Sequence, residues 1–436
     1  MSATPRSIPG TSRYKWGVVA LLWFFCFFNY ADRQAIFSIF PVLKKEYGFD
    51  AVQLGLIGSA FTWIYAAGSP FAGLIGDRLS RRFVILGSCF FWSGATVATA
   101  WCGRLWQFLT VRAAQGFGET FYYPAAASLM SDYHGRRTRS FAFSLHQSSV
   151  YIGTIGGSWA GAWFAERHGW RSGFYFFGAA GLVLALIFLR FLREPVRGAA
   201  DELTEPQAEP LAVGPTLRVI FSRPTAVLLM LAFLAANFVA TIFLTWTPSF
   251  LVDKFHYNLT AAGLSGSVFI HVASGLAVPI GGWLADRLSR RFAGGRIFVQ
   301  AFGLLVGAGF VALVGLTRNS STLIGAMVAF GLCKGLYDSN IFASLYDFIE
   351  PRARATAVGI MNSVGWCGGA FGPLAIGFAT KYGRHGADTV ANMSEAIAFG
   401  SVFYIIGGVI LLYAGLVSAK RDMALQSAAA ERVPVA

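Results

Sequence analysis

An all-α membrane protein with twelve spanning helices, arranged as two six-helix repeats, is the fold this sequence predicts. Three observations carry the prediction. Of 436 residues, 55% are hydrophobic and only 13% charged, with a mean hydropathy of +0.56, whereas a soluble domain carries about 25% charged residues. Apolar runs long enough to cross a bilayer, about 20 residues each, recur along the whole chain. The stretch GLIGDRLSRRF (73–83) returns as GWLADRLSRRF (282–292), offset by 209 residues with eight of eleven positions identical.

The first set of runs falls at roughly 16–40, 52–76, 83–103, 105–131, 140–165 and 172–193. The second falls at roughly 225–251, 262–285, 296–317, 320–347, 355–380 and 394–419. Backbone groups in lipid have no water to bond, so these runs are read as helices. The 50 glycines let helices approach closely and the 41 phenylalanines suit lipid-facing surfaces. The first run is too long for a signal peptide and lacks a small-residue cleavage site, so no cleaved leader is expected. Residues 1–193 and 223–420 are read as the two six-helix bundles, 194–222 as a linker rich in proline, alanine and charge, and 421–436 as a disordered tail.

Charge placement gives the orientation. Of the 35 Lys and Arg, 23 fall on the side of the termini, nine on the opposite loops, and three (Arg33, Arg112, Lys334) within spans. By the positive-inside tendency both termini and the linker are cytoplasmic, which predicts a multi-pass protein of the cell (inner) membrane. The net charge of +14 is therefore a topology signal and not a nucleic-acid footprint. The five cysteines show no metal or disulfide spacing, and no cofactor is expected. No phosphate-cradling loop or catalytic triad motif is present, which argues against an enzyme and against ATP-driven transport.

A weaker echo, DYHGRRTRSFAF (132–143) with DFIEPRARATAV (347–358), accompanies the duplicated loop. Parallel repeats of this kind place a solute path between them. An ionisable group at mid-bilayer costs roughly 2.5–3.5 kcal/mol even on the lenient insertion scale, so those inside the runs need partners or a wet cavity. In the first half these are Asp32 and Arg33 on the first helix and Arg112 and Glu119 on the fourth. Arg112 and Glu119 are two turns apart on one face, with about 10 Å of rise between them. Asp32 and Arg33 diverge by about 100°. Two acids and two bases balanced in one cluster suit proton coupling, since protonating a carboxylate frees an arginine for an anion. The alternative is a static ion-pair network that only sets geometry.

In the second half, CKGLYDSNIF places Lys334 and Asp338 four apart on one face, where they can pair. Asn340, Asn362 and Trp366 suit hydroxyl-rich ligands, or else serve as helix contacts. Tyr30 and Tyr65 lie deeper than an interfacial aromatic belt, and Gln147 is a neutral ligand candidate. His146 and His271 are expected as satisfied helix contacts.

The loop G-x-x-x-D-R-x-x-R-R between second and third helices resembles the hallmark of the major facilitator superfamily. That resemblance covers the whole chain. It implies gating roles for Asp77, Arg78 and Arg82, and for Asp286 and Arg287 in the second copy, with a cytoplasmic anchor as the plainer alternative. N-Y-x-D-R (29–33), R-x-x-x-G-x-G-E (112–119), the K-G of helix ten and the asparagine of GIMNSVGW (359–366) together resemble the anion:cation symporter branch. That branch implies proton-coupled import of sugar acids. It implies Asp32 and Glu119 as protonation sites, Arg112 holding Glu119, and Arg33 gripping the substrate carboxylate. It also implies Tyr30, Tyr65, Gln147 and Asn362 bonding the sugar-acid hydroxyls. Partners are then a small organic anion, a proton and the bilayer, with a working monomer and no nucleic acid. The first two motifs and REPVRG also resemble the spinster branch, which moves lysolipids and sphingoid lipids. A drug/proton antiporter is a third possibility, though its cavity would favour acids over Arg33 and Lys334.

Overall fold

A computed structural model describes residues 12–135, 138–195, 217–218, 220–292, 294–349 and 354–422. The described residues are helical, with no strand among them. In chain order the helices are α1 (Ser12–Ser38), α2 (Phe40–Tyr47), α3 (Ala51–Arg78), α4 (Arg81–Thr99), α5 (Leu105–Thr120), α6 (Tyr122–Tyr133), α7 (Arg139–Arg167) and α8 (Trp170–Phe191). After residues 196–216, which lie outside the described residues, come α9 (Pro224–Phe255), α10 (Leu259–Ser289), α11 (Gly295–Leu316), α12 (Ser320–Asp338), α13 (Ile341–Tyr346), α14 (Arg354–Tyr382) and α15 (Thr389–Tyr413). α15 runs on through a π-helical turn, Ala414–Ser418. The expected linker falls largely outside the described residues, as does the tail beyond 422.

Eight of the described helices are long and apolar enough by themselves to cross a membrane. The fourth expected run is not among them and is two helices, broken at Phe121. Pro124 has no N–H for the Thr120 carbonyl and its ring crowds that group. Thr120 also turns its hydroxyl back to Gly116 O at 2.7 Å, a bond that bends helices. The tenth run breaks at the corresponding place, after Asp338, where Gln300 Nε2 donates to the Asn340 carbonyl at 3.2 Å. A single helix was expected for each run.

Packing repeats between the two sets. α1 packs on α7 as α9 packs on α14, α3 on α5 as α10 on α12, and α4 on α8 as α11 on α15. Across the sets α3 meets α14, and in the matching position α10 meets α7. Large apolar side chains such as Phe71, Trp101 and Trp283 are exposed around the outside, as a lipid-facing surface requires.

The sets seal at the end away from the termini. Pro248 inside α9 frees the carbonyl of Leu244, and Gln34 of α1 donates to it at 2.7 Å. Ser158 donates to Gly263 O at 2.7 Å, Lys381 pairs with Asp50 at 2.8 Å, and Glu166 accepts from the Thr260 amide at 2.8 Å. α3 and α14 meet so closely there that a Cβ on Gly55 would stand 2.7 Å from the Pro373 carbonyl.

At the terminus end of the first set, Arg81 is buried and pairs with Asp132 of α6. Its Nε also donates to Glu194 Oε1 at 2.9 Å and its Nη2 to Pro195 O at 3.0 Å. Glu194 further accepts from Ser80 Oγ and the Arg82 amide, each at 2.8 Å. Partial burial alone would raise the Glu194 pKa, but these bonds and the Arg81 charge outweigh it and hold the carboxyl below the ordinary glutamate value.

Because Glu194 is harder to protonate folded than unfolded, its stabilisation is complete above about pH 4.3 and is lost as pH falls through the lower folded value. Thermal unfolding in detergent should show wild type holding its full margin over Glu194→Gln down to about pH 4.3 and losing it progressively as pH falls further. Separately, Gly55→Val should prop the sealed end open. A single cysteine placed at Ile57 in a cysteine-free background should then react with an impermeant maleimide added from that side, and unchanged labelling in folded variant would reject the role of this approach.

Candidate functional site: a charged cluster between the two helix sets

The four charges expected inside the first set do converge, and all are buried: Asp32 is 2% exposed, Arg33 9%, Arg112 1% and Glu119 3%. They are not joined as expected. Among the described residues none of the four makes an ion pair within 4.0 Å. Asp32 Oδ2 instead accepts from the Thr96 hydroxyl of α4 at 2.9 Å. Thr96 Oγ1 accepts from Gln115 Nε2 at 2.8 Å, and Gln115 Oε1 accepts from Arg112 Nη1 at 2.8 Å. A neutral relay of a hydroxyl and an amide therefore separates the acid from the base. Thr96 and Gln115 are members of the cluster that sequence reasoning missed, because nothing in a span distinguishes a bridging amide from a helix contact.

Glu119 makes no ion pair with Arg112 within 4.0 Å among the described residues, although the two charges act on each other at longer range. Both of its carboxyl oxygens lack a hydrogen bond among the described residues, as do Asn29 Nδ2, Asp32 Oδ1, and Arg112 Nε and Nη2. Such orphaned groups are costly when buried, and several of them collected in one region ask for an explanation.

Arg33 has aromatic neighbours, and among the described residues its guanidinium makes no ion pair within 4.0 Å. Its guanidinium carbon lies 4.2 Å from the Phe61 ring centroid, 4.8 Å from Trp366, 5.6 Å from Tyr30 and 5.8 Å from Tyr65. Arg112 lies 4.9 Å from the same Phe61 ring, so one ring of α3 serves two cations. Each contact contributes about 0.5–2 kcal/mol, most when desolvated. Tyr65 stacks on Phe61 and meets Trp366 edge-on at 5.5 Å. Trp366 belongs to α14, so the site is shared by both helix sets. Phe61 was missed because a phenylalanine in a span ordinarily reads as lipid-facing.

The remaining expected residues distribute as follows. Asn362 lies one turn before Trp366 on α14 and is half-buried, while Gln147 is exposed on α7. Lys334 and Asp338 pair with each other as expected, with Tyr151 of α7 close by. Asn340 does not join the cluster: its amide is spent on Ser339 Oγ at 2.7 Å and Gly281 O at 3.3 Å. His146 bonds the Tyr122 hydroxyl at 3.0 Å and His271 the Ser267 carbonyl at 2.8 Å, both as helix contacts.

Of the gating candidates, the side chains of Asp77 and Arg78 lie outside the described residues. Arg82 donates to Leu189 O at 2.5 Å, but Arg81 is the buried hub. Asp286 pairs with Arg296 at 2.9 Å, and Arg296 also holds Asp347 at 2.6 Å. Arg287 lies over Trp283 at 5.6 Å.

A family model described as Major Facilitator Superfamily matches residues 22–373 and 271–432. The chain is 27% identical to an ascorbate transporter, chloroplastic, of Arabidopsis thaliana over 90% of this chain and 73% of that protein. It is 25% identical to the 4-hydroxybenzoate transporter PcaK of Pseudomonas putida, over 92% and 94%. With the probable galactarate/D-glucarate transporter GudP of Escherichia coli it shares 23% identity over 94% and 97%. In fold it is similar to a bacterial homolog of the human lysosomal transporter Spinster, crystallised inward-facing and unoccupied, with a TM-score of 0.82 at 20% identity, covering 95% of this chain and 99% of that one.

Thr96→Val should leave Asp32 Oδ2 without its hydroxyl donor and Gln115 Nε2 without its acceptor. A loss of about 1–3 kcal/mol is expected for each buried group left unpaired, read by unfolding in detergent. Thr96→Ser should restore most of it.

Proposed function

Given that the chain belongs to the Major Facilitator Superfamily and is a transporter and not an enzyme, we propose that it imports a small organic anion together with protons, the anion being a sugar acid. It does so as a monomer with twelve spans, two six-helix halves (1–193 and 223–420) joined by the 194–222 linker, and both termini in the cytoplasm of a bacterial cell. The sealed end then faces outward and the structure is inward-facing.

The single observation that carries the reading is Arg33. A guanidinium at the junction of the two helix sets, walled by Tyr30, Phe61, Tyr65 and Trp366 and given no carboxylate, offers a bidentate site for a solute carboxylate. The aromatic faces pack the C–H face of a polyol chain. The phenols of Tyr30 and Tyr65 and the amides of Gln147 and Asn362 bond its hydroxyls. A drug cation would meet repulsion from the same guanidinium. Relatives named for ascorbate, 4-hydroxybenzoate and galactarate/D-glucarate transport support an acid as the solute.

Glu119 carries the coupling proton. Losing that proton to the cytoplasm creates a charge that Arg112 or Arg33 must answer. Either move disturbs the Phe61 ring they share and so the hold on the solute. Asp32 is the second proton site, held ready by Thr96 and tied to Arg112 through Gln115.

Proteoliposomes with an inward pH gradient test this against labelled galactonate, glucuronate, galacturonate and glucarate. Wild type should concentrate at least one. Arg33→Ala should lose uptake by at least 100-fold, and Glu119→Gln should exchange solute without concentrating it. No uptake of any acid by folded wild type would refute the sugar-acid reading, and lysolipid efflux would be assayed next.

A further inference from the structure

A second cavity lies at the sealed end, built from residues other than those of the charged cluster. It has a volume of about 230 Å³ and opens to solvent, and its walls come from α2 and α3 on one side and α9, α14 and the start of α15 on the other. The floor is apolar, with Phe40, Leu54, Trp246 and Met393. Two hydroxyls on its wall, Ser249 and Thr380, are 4% and 2% exposed and have no hydrogen-bond partner among the described residues. A buried hydroxyl left unpaired is costly, and here both line a cavity wide enough for a solute.

The rim supplies charge. Lys381 is engaged with Asp50 at 2.8 Å, but Lys44 reaches Asp253 only at 3.5 Å and its side chain is 52% exposed. An ammonium has three donors, so Lys44 retains capacity for a further acceptor. Apolar floor, paired hydroxyls and a loosely held cation converge on one ligand chemistry.

We propose that this cavity is a second binding site, separate from the charged cluster, for an amphipathic organic anion. Its flat apolar body lies on Phe40 and Trp246, a hydroxyl answers Ser249 and Thr380, and its carboxylate takes Lys44. Because the walls belong to both helix sets, a ligand here favours the sealed state over any state in which the sets part at this end. Occupancy therefore slows transport from the side on which it binds. The site stands independently of the proposed central substrate.

The test uses the full chain in nanodiscs with 4-hydroxybenzoate as probe and Arg33→Ala as background, so that binding at the charged cluster is already disabled. Calorimetry should show saturable binding that persists in this background. Ser249→Ala/Thr380→Val, both near-isosteric, should weaken it at least tenfold, while binding of benzoate, which lacks the hydroxyl, changes less than twofold. Lys44→Gln should weaken both probes, and the methyl ester of 4-hydroxybenzoate should bind at least tenfold less tightly than the acid. Absence of saturable binding in Arg33→Ala, or binding unchanged by both cavity variants, overturns the proposal. Failure of sugar-acid uptake in proteoliposomes would count against the central reading alone and leave this result untouched.

Discussion

A backbone carbonyl freed inside a membrane helix has no water to turn to, and much of this architecture follows from where its donors are found. Pro373 interrupts α14 and frees the Gly369 carbonyl, which accepts from Thr241 of α9 at 2.8 Å. The Pro373 carbonyl itself accepts from Trp246 Nε1 at 2.9 Å. Both bonds stay within the second helix set and fix α9 against α14. Pro248 differs, because the carbonyl it frees on Leu244 is answered by Gln34 of the first set. The same chemistry that makes a kink tolerable thus ties the two sets together, and does so at the end where they close. A state that parts this end leaves that carbonyl to water entering the gap, which makes the bond cheap to exchange and suited to a gate.

The two sets share packing but not electrostatics. The helix pairings recur one for one, yet the buried arginine that organises the terminus end of the first set is Arg81, while its counterpart in the duplicated loop, Arg290, is exposed. In the second set Asp286 and Asp347 are held by Arg296 at the start of α11. Four acceptors (Asp132, Glu194, the Pro195 carbonyl and Ser128 Oγ) surround Arg81 in a nearly dry position, whereas Arg296 remains a quarter exposed. A buried pair resists separation because either partner alone is costly, so the first set has the stiffer terminus end. The charged cluster belongs to that same set. Buried charge and rigidity have gathered in one helix set, with Trp366 of the other set lying over Arg33.

Within the cluster, aromatic rings do the work expected of carboxylates. Phe61 faces both Arg33 and Arg112, and its ring quadrupole stabilises two cations without neutralising either. This keeps the guanidinium donors unspent. A carboxylate in the same place would pair with Arg33 and compete with an incoming anion, as Asp338 does at Lys334.

Much of the architecture was legible in the residue string, for reasons that are local. Lipid makes apolar runs helices, basic residues mark one side, and a loop repeated at 209 residues declares the duplication. The four mid-membrane charges stood out because nothing but function or pairing justifies their cost. The Lys334–Asp338 pair followed from four-residue spacing alone. Which charges meet is another matter. That Asp32 reaches Arg112 through Thr96 and Gln115, that Glu119 makes no ion pair with Arg112 among the described residues, that Arg81 and not Arg82 is the hub, and that Asn340 turns away from the cluster were decided only by tertiary structure. Spacing along one helix sets which residues share a face, but the rotation of that helix against its neighbours depends on packing contacts hundreds of residues apart. The sequence by itself therefore determined the helices, their repeat and the presence of a costly charge cluster, and only the assembled bundle decided its wiring.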